Sequence, residues 1–233
     1  MSAPLAATAW PDVPQGALVL VPLGSTEQHG PHLPLSTDTV IARAVAERAA
    51  GLLPGRVLVA PAMPYGASGE HADFPGTVSV GHDVLRVVLV ETVRSLASWA
   101  RRIAFVNGHG GNAETLRTAV VALRHEGHDV GWTGCEVPGG DAHAGVTETS
   151  LLLYLWPERV AMERAGPGDL RPLSAIMQQL RAAGVRAVSP TGVLGDPSRA
   201  SAVQGRSLLG ELVVETAGRI GAWDVDDTGR LVR

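Results

Sequence analysis

The chain has 233 residues, a formal net charge of −4, 45% hydrophobic and 18% charged residues. That balance excludes a disordered chain and gives no electrostatic basis for a nucleic-acid partner. All 19 basic residues are Arg, so a Schiff-base lysine and the lysine of a phosphate-binding P-loop are both excluded.

The predicted elements alternate. Residues Ala17 to Pro22 (ALVLVP) form a continuous apolar run, the pattern of a strand covered on both faces. Thr39 to Leu53 follows with Val40, Ile41, Ala44, Val45 and Ala49 along one helical stripe. A second strand is expected at Arg56 to Ala60, then a helix at Asp83 to Ala100 carrying Leu85, Val88, Leu89, Thr92, Leu96 and Trp99. Arg102 to Val106 reads as a third strand, Asn112 to Glu126 as a helix with Leu116, Ala119, Val120 and Leu123 inward, and Asp129 to Trp132 as a fourth strand. Later helices are expected at Thr147 to Tyr154, Leu170 to Ala183 and Ser198 to Ile220. Strands alternating with helices imply an α/β fold with a mainly parallel sheet between helical layers, and such sheets carry their sites at the carboxyl ends of the strands. No repeat, charge block or long linker divides the chain, so residues 1–233 read as a single domain. The single Cys, Cys135, cannot form an internal disulfide. Met1 to Pro14 has neither a basic segment nor a long apolar one, and Ala17 to Leu23 is too short to span a bilayer. A cytoplasmic protein with no membrane partner is the expectation.

Three polar clusters sit where strands end. The first is GSTEQHGPHLPLSTDT, Gly24 to Thr39. Glu27 and His29 are two residues apart and point the same way on an extended segment. Asp38 follows at a helix start, so the three side chains can hold a divalent metal such as Zn, Mn or Fe(II). His32 is out of phase with His29 and is expected to point elsewhere. The alternative is a Ser36 or Thr37 helix cap with Asp38 in the first turn. In the second cluster, NGHGGN, His109 lies among glycines that permit close backbone approach; the alternatives are a plain turn or an anion cradle. The third, DAHAGVTETS, places His143 in a small-residue loop and Glu148 in the first turn of a helix, with Thr147 as its expected cap. Beside a metal site these become acid–base candidates and Glu148 a ligand; otherwise they are structural. The segment Tyr65 to His71 either lines a pocket or is a turn. His125 and His128 imitate a zinc-protease motif, but Asp129 stands where its second His belongs. No Ser has the context of a nucleophile elbow, and a lone Cys135 is weak evidence for a nucleophile.

Together GSTEQHGPHLPLSTD, YGASGEHADFPGT, NGHGGN and HAGVTETS resemble the creatininase family of metal-dependent amidohydrolases. The resemblance implies a three-layer α/β/α sandwich. It implies that Glu27, His29, Asp38 and His109 bind divalent metal, with Asp38 bridging two ions per subunit (Fe(II) or Zn, with Mn as a further candidate). It sets His143 and Glu148 near the catalytic centre, and it implies a homo-oligomer. One departure stands out: the family's namesake has a metal-binding Glu two residues after the His of its NGH motif, and here that position is Gly111. Either Glu148 supplies the missing carboxylate or the second metal is weakly held. The HGGN form is similar to another branch, which includes a formamide hydrolase acting on a purine precursor. WPDVP, ARRIAFVNGHGGN and AVSPTGVLGDPSRASAVQGRSLL extend the resemblance over almost the whole chain to a peptidase branch. Its members release a C-terminal Val-Tyr dipeptide from a modified ribosomal precursor peptide during redox cofactor biosynthesis. The expected activity is therefore a metal-dependent peptidase with a peptide substrate, in which an Arg between Asp196 and Arg206 pairs with the leaving dipeptide's carboxylate. The alternatives are a small-amide or formamide hydrolase, and a non-catalytic metal- or phosphate-binding protein.

Overall fold

The computed structural model describes residues 3–232. Apolar runs form a sheet of five parallel strands: β1 (Ala3–Pro4), β2 (Leu18–Leu23), β3 (Val57–Val59), β4 (Arg102–Asn107) and β5 (Val130–Gly134), in the order β1-β3-β2-β4-β5. Six helices accompany them: α1 (Thr37–Ala50), α2 (Gly81–Leu96), α3 (Ala113–His125), α4 (Val146–Leu155), α5 (Leu173–Val188) and α6 (Ala202–Ala222).

Continuous apolarity in the strands is explained by burial on both faces. Val19, Val21, Ile103 and Phe105 face α2 and α3, whereas Leu20, Ala104 and Val106 face α1, α4 and α6. Full burial of a side chain such as Phe105 contributes about 2–3 kcal/mol relative to exposure. The three-layer expectation holds. Among the described residues no helix is long and apolar enough to cross a membrane.

Local chemistry accounts for the differences from the sequence reading. α2 stops at Leu96 rather than Ala100, because the bonds beyond it tighten to three-residue turns: the Ser98 N–H donates to the Ser95 carbonyl and the Trp99 N–H to that of Leu96. α5 begins at Leu173 rather than Leu170, since the residue before Pro172 is kept out of helical geometry. Its regular part ends where Gly184 takes φ 72° and ψ 177°. α6 starts at Ala202 rather than Ser198: Pro197–Arg199 is a separate short turn, and the Ser201 hydroxyl caps the helix by accepting from the Gln204 N–H. Unforeseen is a C-terminal hairpin, β6 (Asp224–Val225) with β7 (Leu231–Val232), which ties to β5 through the Trp132 N–H and the Gly229 carbonyl.

β2 and β4 pair in register from Leu18↔Arg102 to Leu23↔Asn107, and Asn107 in turn pairs with Gly134. The polar segments after these three strands therefore begin at one level. α1, which follows β2, lies on one face of the sheet and α3, which follows β4, on the other. Their diverging connections open a crevice at the carboxyl edge, the usual ligand position in such sheets.

Candidate metal centre

Five segments converge on this crevice. Glu27 and His29 come from the loop after β2, Asp38 from the first turn of α1, and His71 from a short turn, Gly69–His71, after β3. His109 follows β4, and His143 and Glu148 follow β5, the latter from the first turn of α4. Their potential ligand atoms fall into three overlapping groups: Glu27, Asp38 and His109; His29, His143 and Glu148; and Glu27, His71 and His143.

Asp38 joins the first two. Its Oδ1 lies 2.9 Å from His29 Nε2, and its Oδ2 lies 3.3 Å from His109 Nδ1 while accepting a hydrogen bond from Ser25 Oγ at 2.6 Å. Of the helix-cap alternative, Asp38 does stand in the first turn of α1, but Ser36 makes no side-chain cap, the Thr37 hydroxyl donates back to the Pro34 carbonyl, and Asp38 is buried among the histidines. Gly108 allows the approach of β4's loop to α1, because a Cβ there would stand 2.4 Å from the Asp38 carbonyl oxygen. His29 Nε2 is 3.9 Å from Glu148 Oε2, which accepts from the Ala144 N–H at 2.6 Å. The predicted Thr147 cap is replaced by Asp141, whose carboxylate accepts from the Val146 and Thr147 N–H groups.

Glu27 supplies the observation that tests for a cation. It is wholly buried, and neither carboxylate oxygen has an aligned hydrogen-bond partner. Around it stand His109 Nδ1 at 3.1 Å, His71 Nε2 at 3.2 Å and His143 Nδ1 at 3.8 Å, within ion-pair reach. A buried carboxylate in this condition is costly unless a charge compensates it. A cluster of carboxylate oxygens and imidazole nitrogens fits a divalent metal of the Zn, Mn or Fe(II) class.

Electrostatics agree. Burial opposes charge on His29, but Asp38 and Glu148 outweigh it and raise its pKa to about 10. Burial likewise opposes charge on His109, and Glu27, Asp38 and Glu70 hold it well above the ordinary imidazole value. Burial pushes Asp38 upward, yet His29 and His109 draw it well below the carboxylate norm. Glu148 is raised to about 7, first by burial and then by Asp38. Burial, with His29 and His71 nearby, keeps His143 well below its usual value.

Gln28 organises the histidines. Its Oε1 accepts from the Gly30 N–H, which orients the amide so that Nε2 faces His71 Nδ1 at 2.8 Å and the Gly192 carbonyl at 3.1 Å. His143 Nε2 donates to the Gln28 carbonyl at 2.8 Å, leaving Nδ1 turned toward Glu27. Leu194 holds His143 from the far side through a reciprocal backbone pair.

The sequence-predicted residues Glu27, His29, Asp38, His109, His143 and Glu148 thus come together. His32 points away to Thr149 Oγ1, as expected. Sequence reasoning missed His71 and Gln28 as site residues. The signal for His71 was its position after a parallel strand, the same rule that found the other clusters. Of Tyr65 to His71, Ala67 and Gly69 to His71 line a cavity of about 1000 Å³ over the site. The Arg expectation needs correction. Arg86 and Arg181 line this cavity and Arg171 a smaller one that also reaches Glu148, whereas Arg199 and Arg206 line neither and are exposed. His125 closes α3 and His128 pairs with Glu126, far from this chemistry. Burial pushes the Cys135 thiol up, away from thiolate chemistry.

The family model described as Creatininase: Creatinine amidohydrolase matches residues 6–220. The chain belongs to the creatininase family. A relative from Mycobacterium ulcerans, named mycofactocin precursor peptide peptidase, is 52% identical over 231 residues, spanning 96% of this chain and 90% of its own. Among solved structures, a mutant creatininase of the Zn-Zn type superposes with a TM-score of 0.72 at 28% identity, covering 88% of this chain and 89% of its own. A creatininase described with Mn gives 0.67 at 28%, covering 88% and 90%. Creatininase-family structures thus include Zn and Mn forms, and this chain carries candidate ligand groups of carboxylates and imidazoles.

Proposed function

We propose that this chain is a metal-dependent peptidase that releases the C-terminal Val-Tyr dipeptide from the modified mycofactocin precursor peptide. The observation that carries the reading is 52% identity over nearly the full length to a peptidase of that name. The buried carboxylate–imidazole cluster beneath an open cavity supports it. Residues 1–233 act as one cytoplasmic hydrolase domain. Exposed Val84, Val87 and Val88 on α2 support a homo-oligomer.

Glu27, Asp38 and His109 would hold one divalent ion, and His29 and Glu148 a second, with Asp38 shared between them. Zn, Fe(II) and Mn all suit these donors. Bound metal supplies Lewis acidity toward an amide carbonyl and lowers the pKa of water. The chain's own groups do the rest. Glu148 stands beside His29 and lines both cavities, a position from which its carboxyl can take a proton from water and return it to the departing amine of the dipeptide. His143, neutral and with Nε2–H committed to the Gln28 carbonyl, presents its Nδ1 lone pair, an acceptor that can orient a proton-bearing group such as water or the departing amine. His71 and Gln28 keep that ring in place.

The test is one incubation of the metal-loaded protein with decarboxylated precursor peptide ending in Val-Tyr, followed by mass spectrometry, with creatinine assayed in parallel. Intact Val-Tyr is expected, with creatinine untouched. An unchanged peptide beside hydrolysed creatinine would overturn the substrate assignment.

Metal binding should also depend on pH. Ligands bind metal in their deprotonated forms, so an ion must displace protons that His29 holds up to about 10 and that His109 holds above the usual range. Affinity should rise with pH and binding should release protons, read by calorimetry in buffers of different ionisation heat. Stability of the chelated protein runs the other way. The raised His29 value means that its contribution is complete below its ordinary 6.5 and is lost as pH climbs toward about 10.

A further inference from the structure

His109 shows two unlike environments. Its Nδ1 faces carboxylates, Glu27 Oε2 at 3.1 Å and Asp38 Oδ2 at 3.3 Å. Its Nε2 faces the Ala67 carbonyl oxygen at 3.2 Å and Glu70 Oε1 at 3.4 Å. All four neighbours are acceptors, but a cation held by Glu27 and Asp38 would need the Nδ1 lone pair, which places the neutral ring's proton on Nε2, toward Ala67 and Glu70.

Glu70 reaches this position because residue 111 has no side chain. A Cβ on Gly111 would lie 2.4 Å from His109 Nε2, 2.6 Å from the Ala67 carbonyl and 2.7 Å from Glu70 Oε1. The glycine's backbone is not in the left-handed region, so the constraint is space alone. α5 packs on the turn that carries Glu70, and Arg186 Nη1 donates to the Asp73 carbonyl close by. Among the described residues the Glu70 carboxylate has His109 as its one ion-pair partner. The carboxylate also lines the cavity over the site, so the ring is its one charged partner at the edge of the open space.

We infer that Glu70, seated in the gap left by Gly111, is a positioning residue that orients His109 and strengthens Nδ1 as a metal donor. This rests on the metal-dependent reading above. Such outer carboxylates fix a histidine's tautomer and raise its basicity, and their loss typically costs 10- to 100-fold in metal affinity.

The experiment compares wild type, Glu70→Gln and Glu70→Ala, each stripped with chelator and titrated with Mn²⁺ against a competing indicator. In Glu70→Ala the dissociation constant should rise about 10- to 100-fold. Glu70→Gln keeps an acceptor oxygen but loses the charge, so its rise should be smaller. The chelated forms should melt within about 3 °C of one another, because a single partly exposed pair adds little to the fold. Equal Mn²⁺ affinity in all three proteins would overturn the inference and leave the metal reading standing. Wild type that binds neither Mn²⁺ nor, in a parallel titration, Zn²⁺ or Fe²⁺ would overturn both. A chelated Glu70→Ala that melts far below wild type would assign Glu70 a structural role and overturn the inference as well.

Discussion

Asp38→Ala is expected to remove bound divalent metal more completely than any other single substitution and to lower peptide cleavage about a thousandfold or more. The reason is position. Asp38 is buried and turns one oxygen to His29 at 2.9 Å and the other toward His109 at 3.3 Å, so one carboxylate serves both sides of the cluster. Removing His29 or His109 would spare one side; removing Asp38 spares neither. Loss of Lewis-acid assistance worth several kcal/mol corresponds to roughly three powers of ten in rate. The chelated variant should also be less stable. Without Asp38 the His29 ring keeps its buried position but loses its main counter-charge, and breaking such a buried pair typically costs about 3–5 kcal/mol. Elemental analysis of the purified variant, a melting curve and a turnover assay read all three effects. Full metal content with undiminished turnover would remove the shared-carboxylate arrangement from consideration.

Much of this site is legible in the sequence because parallel sheets concentrate chemistry at one edge. The runs ending at Pro22, Val106 and Trp132 located three of the loops to within two residues of the observed strand ends. Glu27, His29, Asp38, His109, His143 and Glu148 could be selected by residue type within those loops. Their mutual distances could not, because they depend on strand register, and Leu23↔Asn107 and Asn107↔Gly134 are facts of pairing and not of local pattern. For a related reason the sequence offers the Tyr65 to His71 segment only as a pocket lining or a turn, with no role for His71 or Glu70 singly. They lie beyond the short strand Val57–Val59, ten or more residues into a loop rich in Gly, Ser and Pro, with no periodicity to mark them. The Asp141 cap of α4 was missed because the sequence favours the nearer Thr147, whereas the loop folds so that a carboxylate five residues before the Val146 N–H reaches it. Beyond Ile220 no element was expected, and β6 and β7 are too short for an apolar pattern to announce them.

Glu148→Gln should separate structure from chemistry on the other side of Asp38. The substitution preserves shape and keeps an oxygen to accept from the Ala144 N–H, the contact that ties Glu148 to its own loop at 2.6 Å. The fold and the first turn of α4 should therefore survive. What is lost is a negative charge 3.9 Å from His29 Nε2 and a carboxyl able to carry a proton. Gly111 has no side chain to take over either task. Metal held by Glu27, Asp38 and His109 should remain, while the ion on the His29 side weakens, so bound metal per subunit falls toward one. Cleavage of the Val-Tyr peptide should drop about 10²- to 10⁴-fold, the range for losing a positioned acid–base group. Supplying excess metal distinguishes the two losses. If Glu148 acts only as a ligand, high Mn²⁺ restores turnover; if it also moves the proton, occupancy recovers and turnover does not. Unchanged metal content and unchanged turnover together would leave Glu148 a structural residue of the α4 turn, and the missing carboxylate would have to be sought at Glu70.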